Sequence, residues 1–185
     1  HSIAFANQGY RVAGLDLSAD LLAAGKQESE KQLSPTTQPE FLRADMRQLP
    51  FADDSFRAIA HLFTAFGYFE NDDENFQVFH EVARLLKPGG TYFFDFLNAE
   101  KAIADIEQET APRVEHHDLL GTIESRRRLT EDQRRIIKNV TITAPDGTLR
   151  HIEENVRAFR EIDLKTALLE AGLTPQKTLG NYKGD

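Results

Sequence analysis

Four segments with the composition of β-strands are each followed by a polar residue that could bind a ligand: Asp16, Asp45, Thr64 and Asp95. In an open sheet of parallel strands, the carboxyl ends of the strands border one crevice, and such sheets bind ligands there. A carboxylate in the position of Asp16 could accept hydrogen bonds from both hydroxyl groups of an adenosine ribose, and charge-assisted bonds of this kind contribute about 1.5–3 kcal/mol each. The same carboxylate could instead favour the N-terminus of the helix that Ser18 would cap. The residues around Asp16 support both interpretations equally.

The segments before these polar residues alternate between strand and helix patterns. Apolar and aromatic residues predict strands over residues 10–18, 41–43, 56–63 and 91–96. The last of these is apolar on both faces, which is typical of a strand buried between helices. The clearest helix begins at Asp72 and extends to Lys87, where Pro88 should end it. The alternation predicts an α/β fold with a doubly wound, mostly parallel sheet.

The pattern changes between residues 99 and 160. A polar helical segment precedes stretches rich in arginine, isoleucine, valine and threonine, with turn signals at residues 130–132 and at Asp146-Gly147. We predict about two or three antiparallel strands here, inserted into the α/β fold. The core should then resume with a helix capped by Asp163 and ended by Gly172, followed by a strand over residues 173–182.

Composition narrows the possible classes of function. The 185 residues suffice for one α/β domain with a small addition, and the absence of cysteine excludes disulfides, thiolate metal sites and cysteine nucleophiles. The formal charge of −8 argues against binding to a nucleic-acid backbone. His116 and His117 are adjacent and would point to opposite faces of a strand, so no metal site is predicted. Nothing resembles a signal peptide or a membrane span, so we expect a cytoplasmic location.

The sequence contains, in this order, the stretches GYRVAGLDLSADLL, ADMRQLPF, FRAIAHLFTAFGYFE and EVARLLKPGGTYFFDFLN. In their order and spacing they resemble the class I S-adenosylmethionine-dependent methyltransferases, and more narrowly the small-molecule type that carries a β insertion after the fifth strand. The resemblance is close over residues 2–98 and looser over residues 161–184. It implies a Rossmann-like core over residues 1–98 and 161–185, with residues 99–160 forming an inserted antiparallel β subdomain that covers the active site. It also implies S-adenosyl-L-methionine as the cofactor and a small-molecule acceptor that is methylated by in-line displacement.

The resemblance assigns the cofactor to residues at the strand ends: Asp16, Leu17, Asp45, Met46, Phe63 and Thr64. Asp16 matches the acid that binds the ribose, and Leu17 would pack beside the adenine. Asp45 matches the acid that accepts a hydrogen bond from the adenine amino group, and Met46 would frame the ring. The Phe63-Thr64 pair matches the segment that passes the methionine part of the cofactor.

Other residues match the acceptor side in the same family: Phe66, Gly67, Tyr68, Asn98 and Tyr182. Tyr68 is the candidate catalytic residue, because it follows a glycine in a loop at the crevice and could orient or deprotonate the acceptor. His61 could do the same chemistry, but it falls within a predicted strand, where a structural role is expected. Arg157 could bind an acidic acceptor or could be an ordinary polar strand residue, and the sequence favours neither.

The sequence lacks one feature of the family, which is a first strand that ends in a glycine-rich loop. That loop lets backbone amides approach the cofactor. The strand would lie in the centre of the sheet, between the strands that end at Asp16 and Thr64, and its loss would leave two inner strand edges unpaired. We therefore expect the complete polypeptide to include this strand and loop before His1.

Three other functions fit parts of the pattern. An acid after the second strand of such a sheet would also suit the ribose of NAD in an oxidoreductase. A domain without the glycine-rich loop could be a non-catalytic interaction module. The arginines at positions 126–128 and 134–135 could contact RNA in an RNA methyltransferase, or they could lie on a solvated hairpin balanced by nearby acids. We expect a monomer or a homodimer.

Overall fold

The computed structural model describes residues 1–181 and 183–184, which divide into two compact units, His1–Ala52 and Asp53–Asp185. Within the described residues, each helix is too short or too polar to traverse a bilayer. The longest helices have 14 residues, which corresponds to about 21 Å.

The first unit is a strand–helix–strand motif preceded by a short helix. Its elements are α1 (Ser2–Asn7), β1 (Ala13–Asp16), α2 (Ala19–Gln32) and β2 (Glu40–Arg43). The two strands pair in parallel, with Asp16 opposite Arg43. Ser18 caps α2 as predicted, because its side chain accepts a hydrogen bond from the Leu21 amide at 3.2 Å.

The second unit begins with another parallel strand pair and the helix between its strands. These elements are β3 (Phe56–His61), α3 (Asp72–Leu85) and β4 (Leu86–Phe94). The prediction that α3 extends to Lys87 is wrong, because the helix ends at Leu85 and β4 follows at once. Pro88 disfavours the helical conformation of the residue before it, and the chain is already extended at Leu86, with φ −75° and ψ 132°.

An aromatic cluster forms the core of this second unit. Phe79 is fully buried and stacks on Phe66 at a centroid distance of 4.7 Å, and Phe94 meets both rings edge-on. Phe159 joins the cluster at 5.7 Å from Phe66. Successive residues of a strand point to opposite faces, so Phe93 turns away from these rings and is 50% exposed. The prediction that this strand, β4, is buried on both faces is therefore wrong, because the face that carries Phe93 is partly exposed.

After β4 the chain forms α4 (Ala99–Glu107) and a four-stranded antiparallel sheet in the order β5-β6-β7-β8. Its strands are β5 (Arg113–His117), β6 (Gly121–Leu129), β7 (Arg135–Thr143) and β8 (Leu149–Arg157). The prediction of two or three strands missed at least one, because the connection between β5 and β6 lacks an Asp-Gly or Asn-Gly hairpin signal. Ala99, Ile136 and Ala158 form a core cluster that joins α4 to this sheet.

The last element is α5 (Glu161–Glu170). Its N-cap is Arg160, whereas the predicted cap, Asp163, is the third helical residue and accepts a hydrogen bond from the Arg160 amide at 3.1 Å. Gly172 ends the helix as predicted, with φ +85°. The prediction of a strand over residues 173–182 is wrong for residues 173–181, which form no strand. Pro175, which has no backbone donor, weakens any pairing there.

The predicted fold class is confirmed: parallel strands connected through helices are combined with an inserted antiparallel sheet. The four parallel strands form two separate two-stranded sheets, β1–β2 in the first unit and β3–β4 in the second. The polar residues of interest lie at the carboxyl edges of these two pairs.

Candidate active site

Asp16 and Asp45 lie at the same edge of the β1–β2 sheet. Asp16 and its partner Arg43 are the last residues of their strands, and the Ala44 amide donates a hydrogen bond to the Asp16 carbonyl at 3.3 Å. Oδ1 of Asp16 accepts a hydrogen bond from the Ser18 amide at 2.8 Å, which orients the exposed carboxylate. Oδ2 has no hydrogen-bond partner within the described part of the chain. Asp16 therefore supports the start of α2 with one oxygen and offers the other to a ligand.

Asp45 is engaged by Arg47. Nη2 of Arg47 donates to Oδ2 at 2.6 Å, Nε contacts both carboxylate oxygens at 3.1 Å, and the Arg47 amide donates to Oδ1 at 2.9 Å. The hydrogen bonds from the Arg47 side chain hold the pKa of Asp45 below its usual value. Because both oxygens are engaged, an adenine amino group at Asp45 would have to share the carboxylate with Arg47 or displace it. The two side chains are about one-third exposed, so this exchange can occur in contact with solvent.

Leu17 and Met46 immediately follow these two acids. Leu17 is 52% exposed, and its carbonyl accepts a hydrogen bond from Nε of Arg43 at 2.8 Å. Met46 is half-buried. An exposed leucine beside a strand-end carboxylate provides apolar surface next to a hydrogen-bond acceptor, which are the two contacts that an adenosine group requires.

The turn after β3 is strained at Phe63 and Thr64. Both residues lie in the left-handed region, with φ +56° and +53°, and a β-branched residue such as threonine rarely adopts this conformation. The conformation costs about 1–2 kcal/mol per residue. Asp95 holds the turn, because its Oδ2 accepts from the Phe63 amide at 3.1 Å and its carbonyl accepts from the Thr64 amide at 3.3 Å. Strain of this kind is concentrated at ligand-binding sites, and Phe63 is 72% exposed there.

His61 lies at the end of β3, as predicted, and is mostly enclosed. Its Nε2 lies 2.7 Å from the Ala65 carbonyl and its Nδ1 lies 3.1 Å from the Tyr92 hydroxyl. The carbonyl can only accept, so Nε2 carries the proton and Nδ1 accepts from Tyr92. Burial lowers the pKa of His61, and it raises that of Tyr92 well above its ordinary value. Both ring nitrogens are thus used within the fold, which fits a structural role.

Tyr68 lies in the connection between β3 and α3, and we call residues 65–71 of this connection the Tyr68 loop. The side chain is 48% exposed. Burial, and then the negative charge of Glu154 on β8, raises the pKa of Tyr68. The phenol is therefore protonated at neutral pH, so it suits the donation of a hydrogen bond to an acceptor better than the removal of a proton from it.

Arg157 is engaged by other parts of the fold. Its Nε and Nη2 bind the two carboxylate oxygens of Asp72 at 2.9 and 3.1 Å, and its guanidinium lies 4.7 Å from the centre of the Phe159 ring. An acidic acceptor would have to replace Asp72, so we do not assign Arg157 a substrate contact. Arg157 also borders a cavity of about 560 Å³ beside Phe76 and Ala167, and none of the other residues predicted for the site lines this cavity.

The remaining predicted residues differ in their positions. Phe66 is 1% exposed in the aromatic cluster, so it can shape an acceptor site only from beneath. Asn98 is the N-cap of α4, and its side chain accepts from the Lys101 amide at 3.0 Å. Tyr182 lies outside the described residues.

Sequence reasoning missed two arginines that act on these sites. Arg47 could have been found, because a cation two residues after a strand-end acid is a local pattern. Arg135 donates a hydrogen bond to the Gly67 carbonyl, 68 residues away in the sequence, and no local pattern predicts such a contact.

Residues 1–90 match the methyltransferase domain family. This match over the first 90 of the 185 residues agrees with the resemblance to methyltransferases, and the fold is that of a solved methyltransferase. A demethylmenaquinone methyltransferase of Lysinibacillus sphaericus (strain C3-41) is 37% identical over 79 residues, which cover 43% of this chain and 30% of that protein. The chain spans about 30–40% of the length of the first curated relatives that it matches.

Two solved methyltransferases show the same fold. CcbJ from Streptomyces caelestis superimposes with a TM-score of 0.80 at 16% identity, covering 97% of this chain and 70% of CcbJ. CalS10, an amino pentose methyltransferase from Micromonospora echinaspora that was solved with S-adenosylmethionine bound, superimposes with a TM-score of 0.64 at 19% identity, covering 97% of this chain and 73% of CalS10.

Proposed function

We propose that the protein is an S-adenosylmethionine-dependent methyltransferase that acts on a small-molecule acceptor. The observation that carries this proposal is the position of Asp16 and Asp45, which lie at one edge of a parallel strand pair within the stretch that matches the methyltransferase domain. The small-molecule acceptor is supported by the relatives, because demethylmenaquinone and an amino pentose are both small molecules. The net charge of −8 also disfavours an RNA substrate.

The residues of the first unit would hold the adenosine part of the cofactor. The free Oδ2 of Asp16 would accept hydrogen bonds from the ribose hydroxyls, while the Ser18 amide keeps the carboxylate oriented through Oδ1. Asp45 would accept from the adenine amino group after Arg47 shares or releases one of its oxygens. Leu17 would cover one face of the base with its exposed side chain.

The turn at Phe63-Thr64 would bind the methionine part. Asp95 already holds this turn through the Phe63 and Thr64 amides, and a turn that is ordered beforehand lowers the ordering cost of binding. The bound cofactor would supply an electrophilic methyl group on a sulfonium sulfur.

On the acceptor side, the chain would mainly align the nucleophile and exclude water. Correct alignment of two reactants can lower a barrier by about 7–11 kcal/mol. Tyr68 would contribute a protonated hydroxyl that orients the acceptor. We further propose that residues 99–160 act as the inserted subdomain that covers the acceptor, within a core formed by residues 1–98 and 161–185.

Two measurements on the complete protein test this function. In a thermal-shift titration, S-adenosylhomocysteine should raise Tm, because a bound ligand at 100 times its Kd stabilises the folded state by about 2.7 kcal/mol. NAD should leave Tm unchanged. Transfer of a labelled methyl group should then be measured on a panel of small metabolites and on bulk RNA. Stabilisation by neither ligand would favour the non-catalytic module, stabilisation by NAD the oxidoreductase, and labelling of RNA alone would overturn the small-molecule acceptor.

A further inference from the structure

Arg135, the first residue of β7, connects the inserted sheet to the Tyr68 loop. Its Nη1 donates to the carbonyls of Phe69 and Glu70 at 3.0 and 3.4 Å, and its Nη2 donates to the carbonyl of Gly67 at 3.3 Å. The other two donors bind Asn155 on the neighbouring strand, from Nε to Oδ1 at 2.6 Å and from Nη2 to the carbonyl at 3.2 Å. All five N–H groups of this guanidinium are therefore used, three of the contacts being to loop carbonyls.

The partners of Arg135 distinguish it from the other arginines nearby. Arg134 and Arg157 pair with the Asp72 carboxylate, and Arg127 pairs with Glu109. Within the described residues, Arg135 forms no ion pair with a carboxylate, and all its hydrogen bonds go to neutral oxygens. Such a side chain contributes the geometry of its planar fork, which a lysine cannot reproduce.

The loop is held from both sides of Tyr68. On one side, the Arg157 amide donates to the Gly67 carbonyl at 2.8 Å. On the other, the fully buried Asn75 accepts from the Phe69 amide at 3.3 Å and donates to the Phe69 carbonyl at 3.2 Å. Arg135 bonds to the carbonyls of both flanking residues, so one side chain of the inserted sheet reaches the backbone on each side of Tyr68.

We propose that Arg135 is a positioning residue for the methyl acceptor, because it fixes the backbone on both sides of Tyr68 from the inserted sheet. The inference rests on the proposed function in one respect, which is that Tyr68 faces the acceptor. It gives the inserted sheet a second task besides covering a site, since the sheet sets the placement of the loop. Arg135 would act through the loop around Tyr68, because its own donors are already bound to Asn155 and the loop carbonyls.

The first test measures the loop itself and needs no acceptor. Hydrogen–deuterium exchange is followed in the complete protein, with and without S-adenosylhomocysteine, for wild type, Arg135→Gln, Arg135→Lys and Arg126→Gln. Arg126 is an exposed residue on β6 and gives the control for loss of one positive charge from the same sheet. Amides of the Tyr68 loop should exchange at least about tenfold faster in both Arg135 variants, while peptides from α3 and the Arg126 variant match wild type.

The second test separates positioning from a merely structural role. With an acceptor identified in the metabolite panel, both Arg135 variants should raise the acceptor KM by about tenfold or more, with kcat changed less and the Kd for S-adenosylhomocysteine within about twofold of wild type. A structural role alone would reduce the active fraction, which lowers kcat at unchanged KM.

Three results would overturn the inference: unchanged loop exchange in Arg135→Gln, full recovery of exchange and KM in Arg135→Lys, or a loss confined to kcat. If Arg135→Gln fails to fold, Arg135→Lys keeps the charge and decides the question by the same measurements. Failure of the proposed function is separate, because it would appear in the wild-type protein as the absence of S-adenosylhomocysteine binding, whatever the loop exchange shows.

Discussion

Replacing Gly67 with alanine tests how closely the Tyr68 loop packs against β8. Gly67 is buried with φ +86°, and an added Cβ would lie 3.1 Å from the Arg157 carbonyl oxygen and 3.2 Å from Cγ1 of Val156. The left-handed conformation costs an alanine about 1–2 kcal/mol. Overpacking adds about 1–3 kcal/mol, because the carbonyl oxygen and the amide nitrogen of Arg157 belong to the backbone and cannot rotate away. We therefore expect Gly67→Ala to lower the free energy of unfolding by about 2–5 kcal/mol.

The matched control is Gly147→Ala, in the turn between β7 and β8. Gly147 has φ +85°, nearly the same as Gly67, but no heavy atom lies within 4 Å of its added Cβ. This variant should lose only the conformational term of about 1–2 kcal/mol. Both free energies are measured by urea unfolding, followed by circular dichroism and tyrosine fluorescence to check that the transitions coincide. If the two variants differ by less than about 0.5 kcal/mol, the packing of the loop against β8 is refuted.

Three further predictions concern charged and titratable groups. Asp16→Asn keeps an acceptor for the Ser18 amide but loses the charge, so calorimetry should show a Kd for S-adenosylhomocysteine about 10–100 times higher; an unchanged Kd would remove Asp16 from the site. Arg47→Ala should lower stability by less than about 1 kcal/mol at pH 7, because the pair is partly exposed. Since Arg47 depresses the folded pKa of Asp45, this contribution is present above the ordinary pKa and lost as pH falls through the folded value, so urea midpoints of variant and wild type should converge in acid. Burial depresses the pKa of His61, so the unfolded chain binds a proton first as pH falls below about 6.5 and stability drops; His61→Gln should reduce this drop, and an equal drop in both proteins would contradict it.

Several features of the site could be read from the sequence because they depend on neighbours along the chain. The Ser18 cap contacts a residue three positions away, and Asp16 ends a strand that the apolar pattern reveals. The end of β2, just before Asp45, can be predicted in the same way from the apolar pattern. Two parallel strands place their carboxyl ends at one edge of the sheet, so the two acids were expected to lie at the same edge. The helix end at Leu85 was predicted two residues too late, because Lys87 was placed in the last turn. A proline disfavours the helical conformation of the residue before it, so Pro88 could have indicated an earlier end.

Other features required contacts between distant residues. Whether Arg157 binds a substrate or a structural partner was open in the sequence, and Asp72, 85 positions away, occupies it. The sequence does not distinguish Arg135 from the arginines near it, whereas in the structure its side chain donates hydrogen bonds to three loop carbonyls. Phe93 is an aromatic residue in an apolar strand, but it is 50% exposed, because the sequence of a strand does not determine which of its faces a helix covers.

The sequence by itself determined the alternation of strands and helices through β4, the resemblance to methyltransferases, and the acids at the strand ends, because hydrophobic period, caps and motif spacing are local properties. Only the tertiary structure decided which charged side chains are already engaged, which aromatic residues are buried, and which backbone segments are held under strain. These properties depend on the three-dimensional proximity of residues separated by tens of positions in the chain, and on the competition among neighbouring groups for the same donors and acceptors.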